Sequence, residues 1–378
     1  MMQQHRCSGF PCDAPAIDHY GVLPVVGQLE RIEWDTNDRD FTNTLAKRGK
    51  PVILTSSPAN EYWSAFKKWS PEYLKKKVTK RLSFAESRGK NFMFYDPNQD
   101  PKNQFNGSVK VWKAPTVRSW MTVKDFLKHA KEDEKRKGGC GSSADSCLYY
   151  AKMINEQSPF SPVLADITPM NFFRVCAGPL MCGTAMAETG DDVTQHVWFG
   201  QKGVRSTIHY DESFNYHVQI FGTKRWWFAS PDYYTNCYPY PMAHPSTRQC
   251  QMEWPLTEEG AKKYPKALHG NGTSSGGPIQ LLTADVQAGE TLYLPPGWLH
   301  ATLALTMNAG MNYWSEGFNA QGQFMGVGMK CHEQRQLQRR TSDADAKLAL
   351  FTTLLDVLEM VRRWIHTLRK TMPPPVID

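Results

Sequence analysis

The sequence predicts a mainly β fold with flanking helices, its core a barrel or jelly roll and its C-terminal segment helical. Three observations carry this. From about Cys147 to Trp314 the chain is a succession of short apolar and aromatic runs separated by Gly, Pro and Asn turn signals. On either side lie stretches with apolar residues three and four apart, the spacing of amphipathic helices. Inside the β region, Ser206 to Asn215 and Pro295 to His300 place chemistry-bearing side chains at strand spacing.

Taken in order, residues 1 to about 28 carry Cys, Pro and Gly without periodicity and read as a loosely ordered arm. Residues 29–146 read as an α/β region packing on the core. In it Asp38 to Arg48 is helical and Pro51 to Thr55 a short buried strand. Ser70 caps a helix with Pro71 at its first position. Its basic tail, from Lys75 to Arg81, reads as a solvated face. Asn91 to Tyr95 is a strand candidate, and Val123 to Arg136 an amphipathic helix ended by Gly138-Gly139. Gly138 to Ser146 is a flexible connector, after which Cys147 to Ala151 opens the β core of residues 147–320. Gly270 to Gly277 is an insertion within it. Residues 321–378 hold a last helix with Phe351, Leu354, Leu358, Val361, Ile365 and Leu368 on one seam. That seam serves equally for packing on the domain or for a homodimer contact.

The 378 residues suit one large domain with embellishments or two smaller ones, and 40% hydrophobic content with 12 Trp and 18 Phe is ample for a packed core. A formal charge of +7 leaves room for an acidic partner without demanding one. Nine scattered cysteines without a Cys-x-x-Cys pair suggest reduced thiols. With no signal peptide and no apolar run of membrane-spanning length, the expectation is an intracellular protein, cytoplasmic or nuclear, neither secreted nor membrane-bound.

His209 and Asp211 are two apart, so on an extended segment they share a side. His300 arrives on another expected strand after the Pro295-Pro296-Gly297 turn. Two imidazoles and one carboxylate are the ligand set of the facial triad that holds Fe(II) with open positions for a substrate and O2. Gly222-Thr223 between His217–Phe221 and Lys224–Phe228 reads as a two-residue hairpin turn. That pairing aims Lys224 into the barrel on the side of His209, Asp211 and Asn215. A buried ammonium needs an anion, and the far carboxylate of an iron-chelating dicarboxylate would supply one.

These residues resemble the Jumonji-C (JmjC) branch of the cupin superfamily, Fe(II)- and 2-oxoglutarate-dependent oxygenases with a double-stranded β-helix core. Within it they are most similar to the asparaginyl hydroxylases of the factor-inhibiting-hypoxia-inducible-factor type. The likeness is carried by His209-Tyr210-Asp211-Glu212, Asn215, Gly222-Thr223-Lys224-Arg225, Tyr238-Pro239-Tyr240-Pro241, His244-Pro245, Arg248-Gln249 and Asn312-Tyr313-Trp314. It is strong from about 145 to 315 and weaker upstream. The resemblance implies that His209, Asp211 and His300 bind iron and form the catalytic centre. It implies that Lys224, Tyr149, Ser206, Asn215 and Asn312 contact 2-oxoglutarate, with Tyr150 a competitor for Tyr149. Arg248 and Gln249 stand where those hydroxylases hold the substrate's side chain. Ser206 replaces a threonine of the relatives and keeps the hydroxyl.

The implied reaction couples decarboxylation of 2-oxoglutarate to succinate with hydroxylation of a C–H bond by O2. The expected substrate is a protein side chain. The alternatives are a demethylase of histone lysine, an RNA-modifying oxygenase (suggested by the Lys67–Arg81 and Arg335–Arg340 runs), and a non-catalytic cupin used for interaction.

Overall fold

Residues 21–87, 91–96, 114–135, 148–153, 159–173, 194–240, 244–270 and 277–315 are described by a computed structural model of the chain. The N-terminal part contains β1 (Val25–Gln28), β2 (Arg31–Ile32), α1 (Phe41–Arg48), β3 (Val52–Leu54), α2 (Ala59–Tyr62), α3 (Ala65–Lys68) and α4 (Pro71–Lys77). Then come β4 (Leu82–Ser87), β5 (Asn91–Phe92), β6 (Val117–Met121) and α5 (Val123–Lys135). The remaining strands are β7 (Leu148–Met153), β8 (Thr194–Gly200), β9 (Arg205–Tyr210), β10 (Phe214–Phe221) and β11 (Lys224–Ala229), followed by β12 (Leu281–Val286), β13 (Thr291–Leu294), β14 (Leu299–Ala304) and β15 (Asn308–Ser315).

Local chemistry explains the boundaries. The Ser70 hydroxyl accepts the Tyr73 N–H at 3.2 Å with Pro71 in the first turn, as expected of the cap. Helix α1 begins at Phe41 rather than Asp38, because the Asp38 carboxylate accepts the Asp40 N–H at 2.8 Å in a turn of its own. It ends on Gly49 in the left-handed region. Val25–Gln28, left in the N-terminal arm by the sequence reading, pair in parallel with β12. Of Asn91 to Tyr95, only Asn91 and Phe92 pair, with Arg205 and Ser206.

The strands form two sheets, ordered β1-β12-β11-β14-β9-β5 and β2-β3-β13-β10-β15-β8-β7-β4-β6. From β8 to β15 this is a jelly roll, with β9, β11, β12 and β14 in the first sheet and β8, β10, β13 and β15 in the second. The expected hairpin across Gly222-Thr223 is therefore not formed. Strand β10 already has β13 and β15 on its two sides, and the chain crosses to the other sheet, where β11 pairs with β12 and β14. A tight hairpin and a tight corner use the same glycine, so the motif does not distinguish them. Gly222 has φ +73, and a Cβ there would lie 2.3 Å from the Met307 carbonyl oxygen. Gly222→Ala is expected to cost at least ~2 kcal/mol, from strain at positive φ plus backbone overlap. Urea denaturation measures this, and an unchanged midpoint would show that the corner relaxes.

Packing is divided by strand alternation. Even-numbered residues of β10, such as Tyr216 and Val218, join Trp34, Leu45, Trp63, Phe126 and Phe173 in an apolar layer under the N-terminal helices. The odd-numbered residues face the barrel interior, which Trp226, Phe228 and Val286 fill from the opposite sheet. A further cluster, with Trp227, Trp254, Tyr264 and Leu299, buries the back of the six-stranded sheet under the long β11–β12 connection. The buried Asp166 ties this N-terminal layer together, accepting from Ser64, Lys68, Trp69 and Tyr73.

Among the described residues Cys237 and Cys250 are buried and in no disulfide. No helix among them is long and apolar enough to cross a membrane. The connector of residues 138–146, the Arg335–Arg340 run and the helical seam from Phe351 to Leu368, with its dimer contact, lie outside the described residues.

Candidate active site

Register places the three expected metal ligands together. In the β9–β14 ladder His209 stands opposite His300, with ring centroids 4.2 Å apart. Asp211 follows β9 directly, and its carbonyl oxygen accepts the N–H of Gly297 at 2.9 Å, tying it to the turn that opens β14. His300 Nε2 lies 3.9 Å from Asp211 Oδ2. One donor atom from each of the three falls within 4.8 Å of the others.

The protonation states suit a cation. His209 Nδ1 is 2.7 Å from the Thr207 carbonyl oxygen and His300 Nδ1 is 3.0 Å from that of Trp298. A carbonyl oxygen only accepts, so each Nδ1 carries the proton and each Nε2 keeps its lone pair, the usual arrangement behind a metal-binding imidazole. Burial, and then the neighbouring His209, push His300 down to about 4. Burial likewise lowers His209. Both rings are neutral at pH 7, and with one carboxylate they form a donor set that fits Fe(II).

Lys224 opens β11 and is only 3% exposed. Burial alone pulls its ammonium down to about 7. It reaches the interior, as expected, although by the corner rather than by a hairpin. Next to it is a polar chain in which Asn215 and Asn312 are joined by His217 and Gln219, two residues with no role expected from the sequence. His217 Nδ1 is 2.8 Å from Asn312 Oδ1, His217 Nε2 is 3.1 Å from Gln219 Oε1, and Asn312 donates to Asn215 at 2.6 Å. Burial, then the charge of Lys224, hold His217 at about 3, so this imidazole is neutral too and donates to only one of the two amides. The signal was present: Asn215, His217 and Gln219 recur at every second position of an otherwise apolar strand. Gly310 makes room for the ring, since a Cβ there would meet His217 Cε1 at 2.7 Å.

Ser206 sits on β9, its hydroxyl 3.0 Å from that of Thr302. Together with His209, Gln249 and Trp198 it lines a cavity of about 320 Å³, walled further by Phe92, Phe94 and Arg118. Arg248 and Gln249 come from the β11–β12 connection. Beyond its pairing with β5 the end of β9 takes them as neighbours: His209 bridges to Gln249, and the Tyr210 N–H donates to the Arg248 carbonyl. Gln249 Oε1 accepts from Thr207 at 2.9 Å. Arg248, at φ +71, brings Nη1 to 3.9 Å from Asp211 and its guanidinium 5.8 Å from the Phe94 ring centroid. Tyr149 lies on β7 opposite Glu86, and Tyr150 opposite Ala85; both side chains are outside the described residues.

A family profile described as a cupin-like domain matches residues 38–321, most of the chain. The chain belongs to this cupin-like family. Its similarity to curated proteins falls within the JmjC branch. This cupin-like domain is 22% identical over 284 residues to Lysine-specific demethylase JMJ31 of Arabidopsis thaliana. It is 24% identical over 274 residues to Lysine-specific demethylase JMJ30 of the same plant. It is also 24% identical over 324 residues to JmjC domain-containing protein E of Dictyostelium discoideum. These alignments cover 73, 70 and 77% of the chain and 47, 50 and 84% of the respective relatives. The cupin-like chain thus spans about half the length of the two plant proteins. Those names bear out the superfamily expected from the sequence and not its asparaginyl-hydroxylase branch.

Proposed function

We propose that this chain is an Fe(II)- and 2-oxoglutarate-dependent oxygenase that hydroxylates a protein side chain. The observation that carries the reading is the convergence of His209, Asp211 and His300 at one end of a barrel that buries Lys224. Bound iron with 2-oxoglutarate and O2 would supply the oxidising chemistry. The chain's own residues do the positioning. His209, Asp211 and His300 would hold the metal, and Lys224 would neutralise a carboxylate of 2-oxoglutarate. Ser206, Asn215, Asn312 and Tyr149 complete the contacts to that co-substrate. The His217–Gln219 pair keeps the Asn312–Asn215 amides in place. Arg248 and Gln249 orient the target side chain, and the aromatic wall of Phe92, Phe94 and Trp198 excludes water.

Lysine demethylation is the second reading, favoured by the names of the Arabidopsis relatives. Against it, Arg118 and Arg248 put two guanidinium groups at the cavity, and a methylammonium substrate would be repelled there. RNA as substrate rests on the Lys67–Arg81 and Arg335–Arg340 runs, the second of which lies outside the described residues. In the fold Lys68 and Lys75 of the first run pair with Asp166 and Glu72. Helices α3 and α4 that carry them cover the outer face of the nine-stranded sheet, whereas His209 faces the interior.

Turnover with ferrous iron, 2-oxoglutarate and candidate proteins tests the reading by mass spectrometry. The expected product has gained one oxygen, with succinate released in step and both stopped by a chelator. Loss of methyl groups from lysine would replace hydroxylation by the second reading. No iron-dependent succinate with any partner would leave a non-catalytic cupin.

A further inference from the structure

Five large hydrophobic side chains stand exposed among the described residues, and three of them, Phe94, Val117 and Trp120, lie on or beside β5 and β6. These two strands end their respective sheets. The same segments wall the candidate active site, with Phe94 from one edge and Arg118 from the other lining the cavity that reaches His209. Strand alternation puts Trp120, 60% exposed, on the face of Arg118.

Strand β6 pairs with β4 in unbroken register from Met121 to Val117. Among the described residues no strand lies on its other side, which presents a row of backbone N–H and C=O groups. Proteins blunt such an edge with proline, charged side chains or a bulge. This one reads Val-Arg-Ser-Trp-Met, with neither proline nor bulge and Arg118 as its one charge. A regular, partly apolar edge beside a cavity is what an added strand recognises: main-chain hydrogen bonds give affinity and alternate side chains enter pockets. Charge selects the partner. Arg118 lines the cavity, none of the residues lining it is acidic, and Arg248 stands beside it, 3.9 Å from Asp211.

We propose that β6 is the docking edge for an extended, acidic segment of the protein substrate, which adds as a further strand and turns its target side chain into the His209 cavity. The chemistry at the target rests on the oxygenase reading; the docking does not. Bases of single-stranded RNA would also stack on Trp120 and Phe94, but a nucleic acid cannot complete a strand ladder, so polypeptide is the occupant.

The test uses fluorescein-labelled short β-prone peptides flanked by Glu/Asp or by Lys/Arg, with a single-stranded RNA of equal length, on the full chain. Anisotropy reads binding, and succinate release with and without peptide is measured in the same samples. Expected results are at least about tenfold tighter binding of the acidic peptide, and loss of about tenfold on Trp120→Ala or on N-methylating alternate peptide amides. Arg118→Glu should reverse the preference and gain affinity for the basic peptide, which a misfolded variant cannot do. Equal binding of both peptides, indifference to N-methylation, or binding of RNA alone would overturn the proposal. Peptide binding without any succinate would instead remove the oxygenase reading and leave the docking edge standing. Peptide-stimulated succinate that ignores flanking charge and Trp120 does the reverse.

Discussion

Replacing Lys224 by methionine raises the KM for 2-oxoglutarate on the order of 100-fold, as loss of one member of a buried charge pair does. Methionine keeps most of the stem's volume and removes the charge. Lys224 is buried, so water cannot stand in for its charge. The same burial gives a signature without substrate. Burial lowers the lysine from 10.5 to about 7 in the folded chain. Between those values the unfolded chain holds a proton that the folded chain lacks. Stability contributed by this site is thus lost as pH falls from about 10.5 to about 7. Lys224→Met flattens that slope. A carboxylate beside the ammonium restores its proton, so 2-oxoglutarate binds more weakly as pH rises above neutrality. Unfolding midpoints and KM values at pH 7 and 9 check both, and a KM unchanged by the substitution would remove Lys224 from the co-substrate site.

Asp211→Ala abolishes succinate formation and weakens Mn(II), a stand-in for iron, by at least ~100-fold, since even outer-shell changes reach that size. Asp211 brings the only negative charge of the three donors, against two neutral imidazoles. It also lies 3.9 Å from the Arg248 guanidinium, whose charge then stands unopposed over the metal position. Because the Asp211 side chain is only partly buried, 21% exposed, the variant stays folded. Calorimetric titration of Mn(II) into both proteins decides the matter, and equal affinity would show that the His-Asp-His cluster is not a metal centre.

The His-Asp-His cluster was legible because its parts are short-range: His-x-Asp at strand spacing, and a Pro-Pro-Gly turn before His300. Which strands are neighbours was not. The Gly222-Thr223 corner looks like a hairpin locally, and only the occupation of both sides of β10 by β13 and β15 sends the chain across. His217 was visible as a polar residue at strand spacing but had no meaning until Asn312 arrived opposite it. Phe92, Phe94 and Arg118 converge on His209 by way of strands far apart in the chain, a juxtaposition no local pattern encodes. Val25–Gln28 is short and follows a stretch without periodicity, so only its partner β12 makes it a strand.

The apolar layers behind both sheets have one more consequence. Folding energy is gathered mainly outside the barrel, by Trp34, Phe126 and Phe173 on one flank and Trp227 and Trp254 on the other. The polar lining contributes little to that energy and is held in shape by it. A descendant could exchange His209 or Lys224 for inert residues and keep its architecture, so loss of reactivity and loss of structure are separate events for this protein, and a silent copy would still offer the same outer surfaces to its partners.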